Sequence, residues 1–226
     1  MPPLISILST KILRPETITA FESMGVALEM RSFIKIDYLQ NACPCPNRPQ
    51  ALIITSVQGI EGLEQQNFDW RLVKVVFCIK GITEQAVSAK VDAAVPIYSA
   101  LYASELVALI VQKHKTLPLI LVKGNKGLPT IPNGLKAAYV AFKEWIVYEN
   151  NAQSQQLDKD FDGILFFSPS AVESFVLNNR IKENTITFAI GTTTAAALKK
   201  YTPNVVVAAT TNELSLAQAV ASYFNI

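Results

Sequence analysis

The chain has 226 residues, half of them hydrophobic and only 17 % charged, so it can fill a large core and intrinsic disorder is excluded. Twenty basic against eighteen acidic side chains leave a formal charge of +2. That lacks the clustered basic excess of a nucleic-acid surface; Lys113-His114-Lys115 and Lys199-Lys200 are the densest basic spots. No apolar run approaches the roughly 18 residues of a membrane span, and Glu105 interrupts the most apolar stretch. The start, Met1-Pro2-Pro3-Leu4-Ile5-Ser6-Ile7-Leu8, lacks the basic and apolar regions of an export signal and reads as a first buried strand. An odd cysteine count argues against a disulfide framework, and Cys43-Pro44-Cys45 with a single histidine cannot build a four-ligand zinc site. Reduced thiols in a loop of a cytoplasmic protein are expected.

Short apolar runs rich in Val, Ile and Phe alternate with amphipathic stretches. In chain order the pattern predicts a strand at 4–8, a helical segment, and an extended stretch at 33–38. Strand 52–54 and helix 59–63 follow, then strand 73–79, helix 84–90 and helix 104–112. Strand 119–122 leads through another helical segment to an extended stretch at 145–149. Strand–helix pairs close the chain at 163–167 with 171–178, 186–190 with 194–200, and 205–208 with 214–224. Strands this apolar are buried on both faces of a parallel sheet, so the class is α/β with right-handed crossovers.

The chain also repeats itself. Ser56 answers to Ser168, Ile79 to Ile190 and Leu106 to Leu216, at offsets of 112, 111 and 110 residues. Three matches in one order imply two similar α/β units. Either these are tandem domains cut near residue 112, or the chain starts in one unit, builds the other, and returns. Both arrangements place a cleft between the units, where small-molecule sites commonly lie.

Standard catalytic signatures are scarce. His114 lies in a polar stretch with no catalytic partner nearby and reads as a surface residue; no phosphate-binding glycine loop is present, Lys123-Gly124-Asn125-Lys126-Gly127 being too poor in glycine. What recurs is a strand ending in small hydroxyl residues that lead into a helix: Thr55-Ser56, Ser168-Pro169-Ser170, Thr192-Thr193-Thr194, and more weakly Gly81-Ile82-Thr83. Such residues cap helices. The same turns, at the carboxyl ends of parallel strands, offer free N–H groups and a positive dipole end to carboxylates or phosphates. Several together suit a large ligand carrying many anionic groups.

The stretch Asp162-Gly163-Ile164-Leu165-Phe166-Phe167-Ser168-Pro169-Ser170-Ala171-Val172-Glu173-Ser174-Phe175 resembles the signature of uroporphyrinogen-III synthases. So does Phe188-Ala189-Ile190-Gly191-Thr192-Thr193-Thr194-Ala195-Ala196-Ala197-Leu198, while Leu52-Ile53-Ile54-Thr55-Ser56, Lys123-Gly124-Asn125 and Val147-Tyr148 agree more loosely. The resemblance covers essentially the whole chain. It implies two α/β domains, each a parallel sheet flanked by helices, joined by a two-stranded connector. Residues 1–35 and 149–226 would form one domain and 36–148 the other. It further implies a hydro-lyase of haem biosynthesis that cyclises the linear tetrapyrrole hydroxymethylbilane with loss of water and inversion of ring D; a monomer is expected because no coiled-coil heptad or exposed apolar run in the sequence demands a partner. The expected partner is that polycarboxylate small molecule, with no metal, organic cofactor, nucleic acid or membrane.

By the same resemblance Tyr148 assists departure of the hydroxyl group, since hydroxide leaves poorly without an acid. Thr83, Ser168, Ser170, Thr193 and Thr194 are carried over as carboxylate contacts, with Thr55, Ser56 and Asn125 beside them. Folding the thread head to tail is mainly an orientation problem. Two positions depart from the family pattern: Thr192 follows Gly191 where proline is usual, and Lys80 stands where the repeat places Gly191, either an added anion contact or, as the favoured reading, a solvated surface residue. The alternatives are a non-catalytic two-domain binder of a polyanionic small molecule and an inactive homologue.

Overall fold

The alternation is realised as two separate sheets in a computed structural model that describes residues 4–48, 50–114 and 116–226. Met1-Pro2-Pro3 and Lys115, part of the predicted first strand and of one basic spot, lie outside the described residues, as does Pro49. The chain divides into two compact units: Met1–Lys35 with Asn151–Ile226, and Ile36–Asn150.

In the first unit, strands β1 (Ser6–Ser9), β2 (Ala27–Met30), β9 (Gly163–Phe166), β10 (Ile186–Ala189) and β11 (Val205–Val207) form a parallel sheet ordered β11-β10-β9-β1-β2. Strand side chains alternate between faces. Leu8, Ile164, Phe166 and Ala189 therefore pack under α6 (Pro169–Val176) and α7 (Thr192–Leu198), while Ile7, Leu165 and Phe188 meet α1 (Pro15–Ser23) and α8 (Glu213–Phe224).

The second unit repeats this plan. Strands β3 (Ile34–Tyr38), β4 (Gln50–Ile54), β5 (Val73–Ile79), β6 (Ile97–Ala100), β7 (Leu119–Gly124) and β8 (Lys143–Ala152) are ordered β3-β8-β7-β4-β5-β6, with β4 to β8 parallel. Helices α2 (Val57–Gln65) and α3 (Ile82–Ser88) cover one face through Ile60, Leu63 and Val87. Helices α4 (Ala103–Lys113) and α5 (Thr130–Ala137) cover the other through Leu106, Ile110, Ile131 and Leu135. Strands β7, β8, β4, β5 and β6 occupy the places of β1, β2, β9, β10 and β11. Register confirms it: Ser9 pairs with Leu165 as Leu121 pairs with Ile53, and Leu165 pairs with Phe188 as Ile53 pairs with Phe77.

Several boundaries differ from the sequence reading. Strands β2 and β6 go beyond it; both are short and only half-buried, so neither carries an unbroken apolar run. Residues 145–149 belong to a strand twice as long, paired with β7 as well as lying beside β3. Helices α2, α3, α6 and α7 begin two residues early, because their opening turns are built from capping and polar residues outside the apolar period. In both sheets the two central connections leave in opposite directions, after β1 and β9 and after β7 and β4. Such switch points open a crevice at the carboxyl ends of the strands.

Helix α2 presses against β8 at a glycine. A Cβ on Gly62 would lie 2.7 Å from Val147 Cγ2 and 2.9 Å from the Val147 carbonyl oxygen. Gly62→Ala is expected to lower the stability of the fold by about 1–3 kcal/mol in urea unfolding. Gly59→Ala, whose nearest neighbour would be 3.5 Å away, should not be destabilised.

Candidate functional site

The crevice of the second sheet gathers four of the residues singled out in the sequence. Beyond β4 the backbone stays extended through Thr55 to Ser56, whose φ is −150° and ψ 154°, and turns into α2. Ser56 Oγ accepts the Gly59 N–H at 3.3 Å, the expected cap. On the neighbouring strand β7 the pairing with β8 slips by one residue: Lys123 faces Ile146, but Gly124 faces Tyr148. Such an irregularity re-aims a side chain. The Tyr148 ring lies over Gly124 so closely that a Cβ there would be 2.3 Å from Cε2. Its phenol oxygen stands 3.2 Å from Ser56 Oγ. Asn125 closes the turn, its N–H donating to the Tyr148 carbonyl at 3.2 Å and its Oδ1 accepting the Asn150 N–H at 2.9 Å.

Two further groups adjoin this cluster. Tyr38 donates its phenol proton to the Glu61 carboxylate. Burial first, then Glu61, with a further push from Tyr148, holds the Tyr38 pKa well above its ordinary 10.0, so it stays protonated at neutral pH. In the sequence Tyr38 reads only as the end of an extended stretch and Glu61 as the solvated face of a helix.

Thr83 lies in the opening turn of α3, after the next strand, and is only 8 % exposed. Beside it Glu84 accepts the Ser99 hydroxyl at 2.6 Å and the Gly81 N–H at 3.5 Å. In the first unit Ser168 repeats the Ser56 geometry, with φ −162°, ψ 157° and Oγ accepting the Ala171 N–H at 3.1 Å. Ser170 is half-buried one turn position on, Thr193 is exposed, and Thr194 is withdrawn into the core at 1 % exposure.

Lys11 and Lys123 take equivalent places at the ends of β1 and β7, a correspondence the sequence carries at the same 112-residue offset as the serine caps. Lys11 Nζ is 2.6 Å from Glu213 Oε1 and sits over the Phe167 ring, 5.0 Å from its centroid. Lys123 Nζ is 3.3 Å from Glu144 Oε2. Burial alone would raise the Glu213 pKa. Hydrogen bonds from Lys11, the Arg14 N–H and the Thr17 hydroxyl outweigh it and hold the carboxyl below its ordinary 4.5.

The remaining titratable candidates are quiet. His114 ends α4 half-buried, with its pKa lowered by burial. Cys78 is fully buried, its thiol pushed up to about 12 by burial and by Glu84. Cys43 and Cys45 pack against the core of their unit, Cys43 Sγ donating to Gln50 Oε1 at 3.8 Å. Among the described residues no three His, Cys, Asp or Glu side chains are grouped to hold a metal ion, and no helix is long and apolar enough to cross a membrane.

Because the Glu213 pKa is depressed by folding, its stabilising contribution is complete above the unfolded value of 4.5 and disappears as pH falls through the lower native value. Acid titration of the folded state should show this loss below about pH 4.5 in the parent and its absence in Glu213→Gln, read by circular dichroism in moderate urea.

A family model described as Uroporphyrinogen-III synthase HemD matches residues 15–218. No curated protein matches the sequence. Among solved structures, uroporphyrinogen-III synthetase from Helicobacter pylori is 15 % identical with a TM-score of 0.73, covering 97 % of this chain and 100 % of that one. A mutant uroporphyrinogen III synthase from the extremely thermophilic bacterium Thermus thermophilus is 14 % identical with a TM-score of 0.61, covering 98 % of each chain. At such identities the likeness to those two structures is one of fold.

Proposed function

Since the chain belongs to the uroporphyrinogen-III synthase family, we propose that it closes hydroxymethylbilane into the type III macrocycle, with Tyr148 as the group that assists loss of the hydroxyl. The observation that carries this is the phenol oxygen of Tyr148 held 3.2 Å from Ser56 Oγ at the switch point of the second sheet. Ser56 Oγ already accepts the Gly59 N–H. Either hydroxyl can donate across this contact; with Ser56 as the donor, the phenol proton is left for the substrate.

The chemistry follows. The carbon–oxygen bond of the hydroxymethyl group breaks, the pyrrole nitrogen lone pair supplies the electrons, and the oxygen leaves as water with the Tyr148 proton. The resulting azafulvenium is cationic and resonance-stabilised, so it needs little further covalent help. Attack by the substituted carbon of ring D, rearrangement through a spiro intermediate, and closure depend on how the thread is held. The proton released when the attacked pyrrole regains aromaticity returns to the phenolate, and the balance is the loss of one water. Loss of one water makes the proposed reaction that of a hydro-lyase, and we propose that the chain carries it out as a monomer, in the cytoplasm, on a free small molecule.

The hydroxyl turns are the proposed carboxylate contacts. In each unit taken by itself, Ser168, Ser170 and Thr193, and Thr55, Ser56 and Asn125, stand at or beside the carboxyl ends of strands, where N–H groups and dipole ends favour carboxylates, while the buried Thr83 and Thr194 have only their backbone N–H groups to offer. Removing the assisting acid should cost catalysis rather than binding. Tyr148→Phe is expected to lower kcat about 100-fold with KM kept, measured by supplying hydroxymethylbilane and separating the isomers. Full type III activity in that variant would remove Tyr148 from the mechanism.

A further inference from the structure

We infer that the carboxyl ends of β5 and β6 form a subsite for one carboxylate-bearing pyrrole ring remote from the reacting ring, with Lys80 as its specificity-determining cation. The inference rests on the reaction proposed above and adds a residue that the family pattern does not supply.

Among the described residues, surface grooves lie at amino ends of strands beside Asp160 and Lys182, beside Asp162 and Thr185, and beneath Trp145 near Gln40 and Leu72. Another, of about 630 Å³, begins at a carboxyl edge, where open α/β sheets bind ligands, and runs along α4 to Gln112. Lys80, Ser99, Leu101, Glu105 and Leu109 line it. The Lys80 N–H donates to the Ala100 carbonyl at 2.9 Å, which fastens the ends of β5 and β6 together. From those joined ends project Ile82, Leu101 and Tyr102, exposed by 57 %, 64 % and 66 %. Large apolar side chains left exposed side by side mark a binding surface more often than isolated ones do.

The charges fit one ring of the substrate. Lys11, Lys90 and Lys123 are each neutralised by a carboxylate, whereas Lys80 makes no ion pair among the described residues. Of the nearby acids, Glu84 is committed to the Ser99 hydroxyl and the Gly81 N–H. Glu105 lines the groove itself. A pyrrole with acidic substituents presents carboxylates, an apolar face and an N–H donor, and the groove answers with an ammonium, Leu101 with Leu109, and the Glu105 carboxylate.

Position agrees as well. Strands stand about 4.8 Å apart, so the end of β5 is roughly 14 Å from β8, the strand of Tyr148, along the sheet. That is beyond one pyrrole ring and within a four-ring thread. Binding energy gathered at such a distance orients the reacting end. Lys80 also breaks a symmetry. Its counterpart in the other unit is Gly191, which has no side chain, so only one of the two similar sheets carries this charge.

The test is steady-state closure of hydroxymethylbilane with isomer separation. Lys80→Met should raise KM about tenfold with kcat within about twofold, as expected for loss of a charged hydrogen bond to bound substrate. Lys80→Arg should restore most of it. Lys74→Met, the same charge loss at the other end of β5, should leave KM unchanged. An unchanged KM in Lys80→Met, or an equal rise in Lys74→Met, overturns the subsite while the wild-type chain still makes the type III isomer. A wild-type chain yielding only the type I isomer overturns the reaction itself and the subsite with it.

Discussion

The site depends on the absence of one carbon atom. Strand β8 slips by a residue against β7 so that Tyr148 falls opposite Gly124, and the ring occupies the space a Cβ would fill. Because the aromatic ring is fixed from below by backbone, its phenol is fixed beside Ser56. Ser56 is in turn fixed as the cap of α2. A strand irregularity, a glycine and a helix cap together set one oxygen atom at a switch point. The proposed chemistry needs that oxygen held still more than it needs a strongly shifted acid.

Comparing the two sheets shows why only one carries this arrangement. Strand order and register repeat, and the serine caps repeat with them. The position of Gly124 is taken by Ile12 in the other unit, whose Cβ stands where the glycine leaves room for the Tyr148 ring. The repeated plan carries the proposed acid in one copy and serine helix caps in both. A net charge of +2 is enough for an acidic substrate when N–H groups and hydroxyls do much of the holding, and most lysines at the strand ends are already paired.

Much of the fold was legible because its causes are local. Runs such as Val73–Ile79 are apolar on both faces, and only a parallel sheet covered by helices on both sides buries them. The offset between Ser56 and Ser168 reappears as equal register in the two sheets, which is what a true internal repeat requires. The edge strands β2 and β6 escaped because half-exposed strands of four residues carry no apolar run. At the site, the hydroxyl turns were legible as helix starts. The slip that pairs Gly124 with Tyr148 was not, because a register shift is decided by tertiary packing and leaves no mark in composition. The Tyr38–Glu61 contact joins residues with no motif between them, and the pairing of Lys11 with Glu213 spans nearly the whole chain.

If the missing carbon sets the phenol, Gly124 acts through Tyr148. A double-mutant cycle of Gly124→Ala, Tyr148→Phe and the combined variant, read as kcat for the type III isomer, tests this directly. In a protein still folded by circular dichroism, Gly124→Ala should lose most of the activity that Tyr148→Phe loses, and combining them should add almost nothing. Full activity in Gly124→Ala, or losses that multiply in the combined variant, would contradict it.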